Sequence, residues 1–81
     1  MSLLLQLQSA QKVVGLRQSL RAIRDGQATT VFLAADAEDR VTAPILAACR
    51  EAGLTPVSVE TMAALGEACG VHIGAAVAAI V

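Results

Sequence analysis

Aromatic side chains are almost missing from this chain of 81 residues: there is one Phe32, no tyrosine and no tryptophan. Stacking platforms for single-stranded bases are built from aromatic faces, so any nucleic-acid binding must rest on something else. Reactive side chains are as sparse. His72 is the only imidazole, and Cys49 and Cys69 are the only thiols; they lie far apart and lack the CxxC spacing of a zinc site. No metal or other cofactor is expected. Glycine-rich phosphate loops of the GxxxxGK or GxGxxG type are missing too. With no nucleophile–base pair in view, catalysis has no foothold, and the chain reads as non-enzymatic with no small-molecule substrate. Asp36, Glu38 and Asp39 can be imagined around a divalent ion, but a solvated acidic turn ahead of a helix is the better reading.

Long hydrophobic runs are also lacking. The opening Met1–Gln6 has no basic flank and is broken by glutamine, so it is not expected to act as a signal peptide. The apolar Gly74–Val81 run is too short to span a membrane. Two unpaired cysteines in alanine-rich surroundings fit small core residues in a reducing, cytoplasmic setting.

What is present is aliphatic: 56% of the residues are hydrophobic, and Ala, Val, Leu and Ile supply nearly all of them. The length suits a single domain over 1–81. Periodicity and turn residues predict a short helix over 2–10, with Ser2 as its cap and Leu3, Leu4 and Leu7 buried. A brief extended piece follows at Lys12–Val14, then a helix from Leu16 to Asp25 stopped by Gly26. Thr29–Ala35 is β-branched and continuously apolar, as in a strand covered on both faces. A helix over Ala43–Ala52 would carry Pro44 in its first turn and bury Ile45, Cys49 and Ala52, with Gly53 as its stop. Pro56–Val59 reads as a strand, Thr61 as the cap of a helix through Cys69, and Ala75–Val81 as an interior strand. Strands alternating with helices over short connections give an α/β fold with helices on both faces of one sheet of about four strands.

Charge is unevenly placed. The net charge is −1, yet Lys12, Arg17, Arg21 and Arg24 cluster early against a single acid, Asp25, while the other acids all come from Asp36 onward. On a helical wheel Leu16, Leu20 and Ile23 share one face, and Arg17, Arg21 and Arg24 share the next. Three guanidiniums beside a helix start suit an anion, a phosphate backbone above all. A plain solvated face has the same pattern, and the residues alone leave both readings open.

Three segments together carry a resemblance: Gly15-Leu16-Arg17-Gln18-Ser19-Leu20-Arg21, Ala34-Ala35-Asp36-Ala37-Glu38, and Leu65-Gly66-Glu67-Ala68-Cys69-Gly70-Val71. In this order and spacing the chain, from Lys12 to Val81, resembles the kink-turn-binding ribosomal proteins of the L7Ae type, especially their small bacterial relatives. The resemblance implies a three-layer α/β/α sandwich with a mixed sheet. It also implies binding to the kink-turn, an RNA duplex bent sharply at a short bulge followed by sheared G·A pairs.

In that family a helix opening Gly-x-Asn-Glu-x-x-Lys docks at the G·A pairs. Here Gly15 keeps its place, while Arg17, Gln18 and Arg21 stand at the Asn, Glu and Lys positions, nearer the Gly-x-Lys-Gln-x-x-Lys of the bacterial relatives. Gln18 can both donate to and accept from base edges; Arg17 and Arg21 can fork onto guanine or phosphate. Arg24 and Lys12 would be peripheral contacts. The resemblance places Glu38 beside the flipped-out bulge nucleotide, with Val71 and Ile73 packing on it and His72 at the loop tip. The expected partner is thus structured RNA, rRNA included, bound by a monomer. The alternative is a protein-interaction module of the same fold, in which the acidic remainder docks a protein.

Overall fold

A computed structural model describes residues 3–81. The expected Ser2 cap and the burial of Leu3 and Leu4 lie outside the described residues. Eight elements follow one another: α1 (Leu3–Ser9), β1 (Lys12–Val14), α2 (Leu16–Arg24), β2 (Thr30–Ala34), α3 (Asp39–Ala52), β3 (Val57–Val59), α4 (Met62–Ala68) and β4 (Val77–Ile80). The strands form one mixed sheet in the order β1-β4-β2-β3. β2 and β3 are parallel, and β4 runs antiparallel to both of its neighbours, β1 and β2. The last strand is therefore interior, as its unbroken apolar character requires.

Alternation along the strands divides the core into two layers. Val31 and Leu33 of β2, with Val77 and Ala79 of β4, face α2 and α3, where Ala22, Ile23, Ile45, Ala48 and Cys49 meet them. Phe32, Ala34 and Ala78 point the other way, onto Leu7 of α1, Leu65 and Ala68 of α4, and Cys69 just after it. Phe32, Leu7, Ile45 and Leu65 are wholly buried, each contributing about 1.5–3 kcal/mol by leaving water. Alanines on the central strand let the helices approach closely, so a core with one aromatic ring still closes.

Two expectations need correction. α3 begins at Asp39, not Ala43, with Glu38 as its N-cap. The amides of Val41 and Thr42 both donate to the Glu38 carbonyl. Acidic residues are favourable at a helix start, and here they outweigh the preference of proline for the first turn. Pro44 sits in the second turn instead, where it withholds the N–H that would answer the Arg40 carbonyl. Ala52 is exposed rather than buried, because it borders an open depression between α2 and α3 together with Ile23, Arg24, Ala48 and Glu51.

Candidate nucleic-acid interface

The sheet brings four connections to one end. Val14 pairs with Ala78, so Gly15 leaves β1 beside the start of β4 and donates its amide to the Val77 carbonyl at 2.9 Å. β2 ends at the same height: the Ala34 amide reaches the Ala76 carbonyl (2.9 Å) and the Ala35 amide the Val59 carbonyl (2.7 Å). The start of α2, the acidic turn 35–38, the start of α4 and the 69–76 connection thus share one rim, at the C-terminal ends of β1, β2 and β3.

Three helices start there, and they differ in charge. α3 opens with Glu38 and Asp39. α4 is capped twice: Thr61 Oγ1 accepts the Ala64 amide (3.0 Å), and Asp36 Oδ1 accepts the Met62 amide (2.8 Å). α2 has Gly15 at its N-cap, no side-chain cap and no acid in its first turn. α3 also lacks a side-chain cap hydrogen bond but has acids at its start, so α2 is the most electropositive of the three starts. Gly15 adopts φ 103° and ψ 162°, a conformation that side-chain-bearing residues avoid, and it is this turn that swings the chain from β1 into the helix.

Arg17, Gln18, Arg21 and Arg24 are all exposed on α2, while Ser19, Ala22 and Ile23 are buried. The arginines border a shallow depression of about 270 Å³ with Leu20 and Asp25. Arg21 Nε lies 3.8 Å from Asp25 Oδ2, with both side chains in solvent, a pairing too loose and too wet to hold the guanidinium. Glu38 is engaged more closely: its carboxylate receives Arg40 Nε at 2.7 Å, a neighbour that sequence reasoning did not single out. Val71 is partly buried against the α4 layer, His72 is exposed, and Ile73 is 78% exposed, an apolar side chain held out into water at the rim.

Lys12 stands apart from the arginines. Its strand partner is Ile80, which faces α4, so the sheet separates Lys12 from α2. Its ammonium reaches the Gln8 carbonyl at the end of α1 (3.3 Å). Cys49 and Cys69 are free and buried. Burial raises both thiol pKa values, with Lys12 pulling Cys69 partly back, and neither is poised as a nucleophile. Among the described residues no group of three His, Cys, Asp or Glu side chains can hold a metal ion, and no helix is long and apolar enough to cross a membrane.

Residues 2–81 match the model of the "Ribosomal protein L7Ae/L30e/S12e/Gadd45 family". The chain belongs to this family. Among L7Ae-family relatives, it is 43% identical over 68 residues to the RNA-binding protein TTE2299 of Caldanaerobacter subterraneus subsp. tengcongensis, covering 84% of this chain and 83% of that one. It is 39% identical over 74 residues to the RNA-binding protein YbxF of Geobacillus stearothermophilus, covering 91% and 90%. In three dimensions it is similar to a Giardia lamblia 15.5kD RNA binding protein, with TM-score 0.84, 30% identity and coverage of 95% of this chain and 66% of that one. A protein of unknown function from Bacillus halodurans C gives the same TM-score at 26% identity, over 99% of this chain and 85% of that one. The three-layer L7Ae-type fold expected from the sequence is the one observed.

Proposed function

We propose that this chain is a non-enzymatic RNA-binding protein that recognises kink-turns in rRNA or other structured RNA and holds them bent. The observation that carries the reading is the contrast among the three helix starts at the rim. Asp36 caps α4, and Glu38 and Asp39 stand at the start of α3, whereas the first turn of α2 holds no acid but Arg17 and Gln18, with Arg21 in the next turn. A phosphate-rich partner is directed to that one helix. Family membership and relatives named as RNA-binding proteins support the same partner class.

In this reading the α2 start enters the groove at the sheared G·A pairs. Gln18 hydrogen-bonds base edges, Arg17 and Arg21 anchor phosphate or guanine, and Arg24 adds a flanking contact. Glu38 and the Val71–Ile73 loop take the bulged nucleotide. Ile73 then covers a base without an aromatic ring, which accounts for its exposure in the free protein. Because the contacts exist only when the RNA is kinked, binding shifts the RNA population toward the bent form. The protein works as a monomer in the cytoplasm, a setting that suits its free thiols.

The test is a gel-shift titration of a kink-turn RNA against the same duplex with the bulge deleted and the G·A pairs replaced by Watson–Crick pairs. Preferential binding of the kink-turn is expected. Equal affinity for the two overturns the reading.

A further inference from the structure

Met62 joins the two loops at the rim through its backbone. Its N–H donates to Asp36 Oδ1 at 2.8 Å, across 26 positions of sequence. Its carbonyl accepts the Ala75 amide at 2.9 Å. The acidic turn is tied to one side of this residue and the end of the 71–74 loop to the other. The loop is held again from behind: Val71 donates to the Gly66 carbonyl (3.0 Å), and the Ile73 carbonyl lies so close over Gly66 that a Cβ there would collide with it.

We propose that Asp36 is a positioning residue of the RNA site: by clamping the acidic turn to Met62 of α4, it fixes Glu38 in register with the Val71–Ile73 loop before RNA arrives. Asp36 touches no RNA in this scheme. Its carboxylate replaces what would otherwise be ordering of two independent loops on binding, a cost that falls directly on affinity. The inference rests on the kink-turn reading for its functional consequence and on the geometry alone for its mechanical one.

The two parts are tested separately on the full chain. Thr61→Ala removes the other cap of α4, a bond confined to that helix, and is the control for stability loss alone. Asp36→Ala is expected to weaken kink-turn binding roughly tenfold, the scale of ordering a loop on association. Thr61→Ala should lower the melting temperature as much and leave affinity within twofold. Asp36→Asn, which keeps an acceptor oxygen at the same place, should restore most of the binding.

Hydrogen exchange without RNA reads the clamp directly. In Asp36→Ala the amides of Met62 and Ala75 should exchange faster, while those of β2 stay protected. Unchanged exchange at Ala75 overturns the clamp whatever the RNA result, and an Asp36→Ala affinity within twofold of a kink-selective parent overturns its role in positioning the RNA site. If the parent itself ignores the kink, the functional reading falls, and accelerated exchange still upholds the mechanical one.

Discussion

At the scale of single residues, neighbours on one helix are expected to do different jobs. Arg21 has only a loose solvent-exposed partner in Asp25, so replacing it costs the fold little. Arg21→Glu should therefore leave the melting temperature nearly unchanged. It should weaken RNA binding by at least the ten- to hundredfold expected for one charge-assisted contact. Gln18→Ala should act otherwise, reducing the preference for G·A-containing RNA about tenfold by loss of a base contact. Ser19, one position on, is wholly buried, and its hydroxyl has no hydrogen-bond partner among the described residues. Ser19→Ala removes an unsatisfied polar group and should raise stability by about 1 kcal/mol, measured by urea denaturation. The exposed arginines, with their spacing of three and four, were legible in the sequence, because helical periodicity decides which face they share. The roles of Asp36 and Arg40 were not, since each depends on what the fold sets opposite them. Lys12 shows the same limit in reverse: close to the arginines along the chain, it is separated from them by the thickness of a sheet.

At the scale of elements, every helix and strand falls where patterning and stop residues predict, with one boundary well off. The start of α3 illustrates two local rules in conflict, and the charge at the helix end prevailed over proline's positional preference. Contact between elements is what periodicity cannot convey. α4 reads in sequence as a short helix capped by Thr61. In the fold Gly66 is the point where the Ile73–Gly74 backbone rests on the helix. Gly66→Ala should displace that backbone, costing about 1–3 kcal/mol as overpacking does. Kink-turn affinity should fall with it, a combination to be read from thermal melts and RNA titrations of one variant. If stability drops and affinity does not, the loop is not part of the interface.

At the scale of the whole molecule, a net charge of −1 and the proposed RNA partner are reconciled by geometry. Arg17, Arg21 and Arg24 gather on α2, while Asp36, Glu38 and Asp39 stand at the starts of the other two helices at the same rim. Binding should then depend on salt only moderately: with about three arginines near phosphates, the log–log slope should be roughly −2 to −3. A slope several times steeper would mean broad electrostatic adhesion instead. The fold carrying this arrangement has a small reserve. Phe32→Ala should cost about 3–5 kcal/mol, a large part of the stability of so short a chain, seen as a sharply lower urea midpoint. The claim on which all else depends is that the protein prefers RNA in its bent form. It is tested most directly by energy transfer between dyes on the two arms of a kink-turn duplex, held extended in low-magnesium buffer and titrated with protein. A saturable rise in transfer is expected, lost when the G·A pairs are replaced. Binding to saturation with no change in transfer would contradict it.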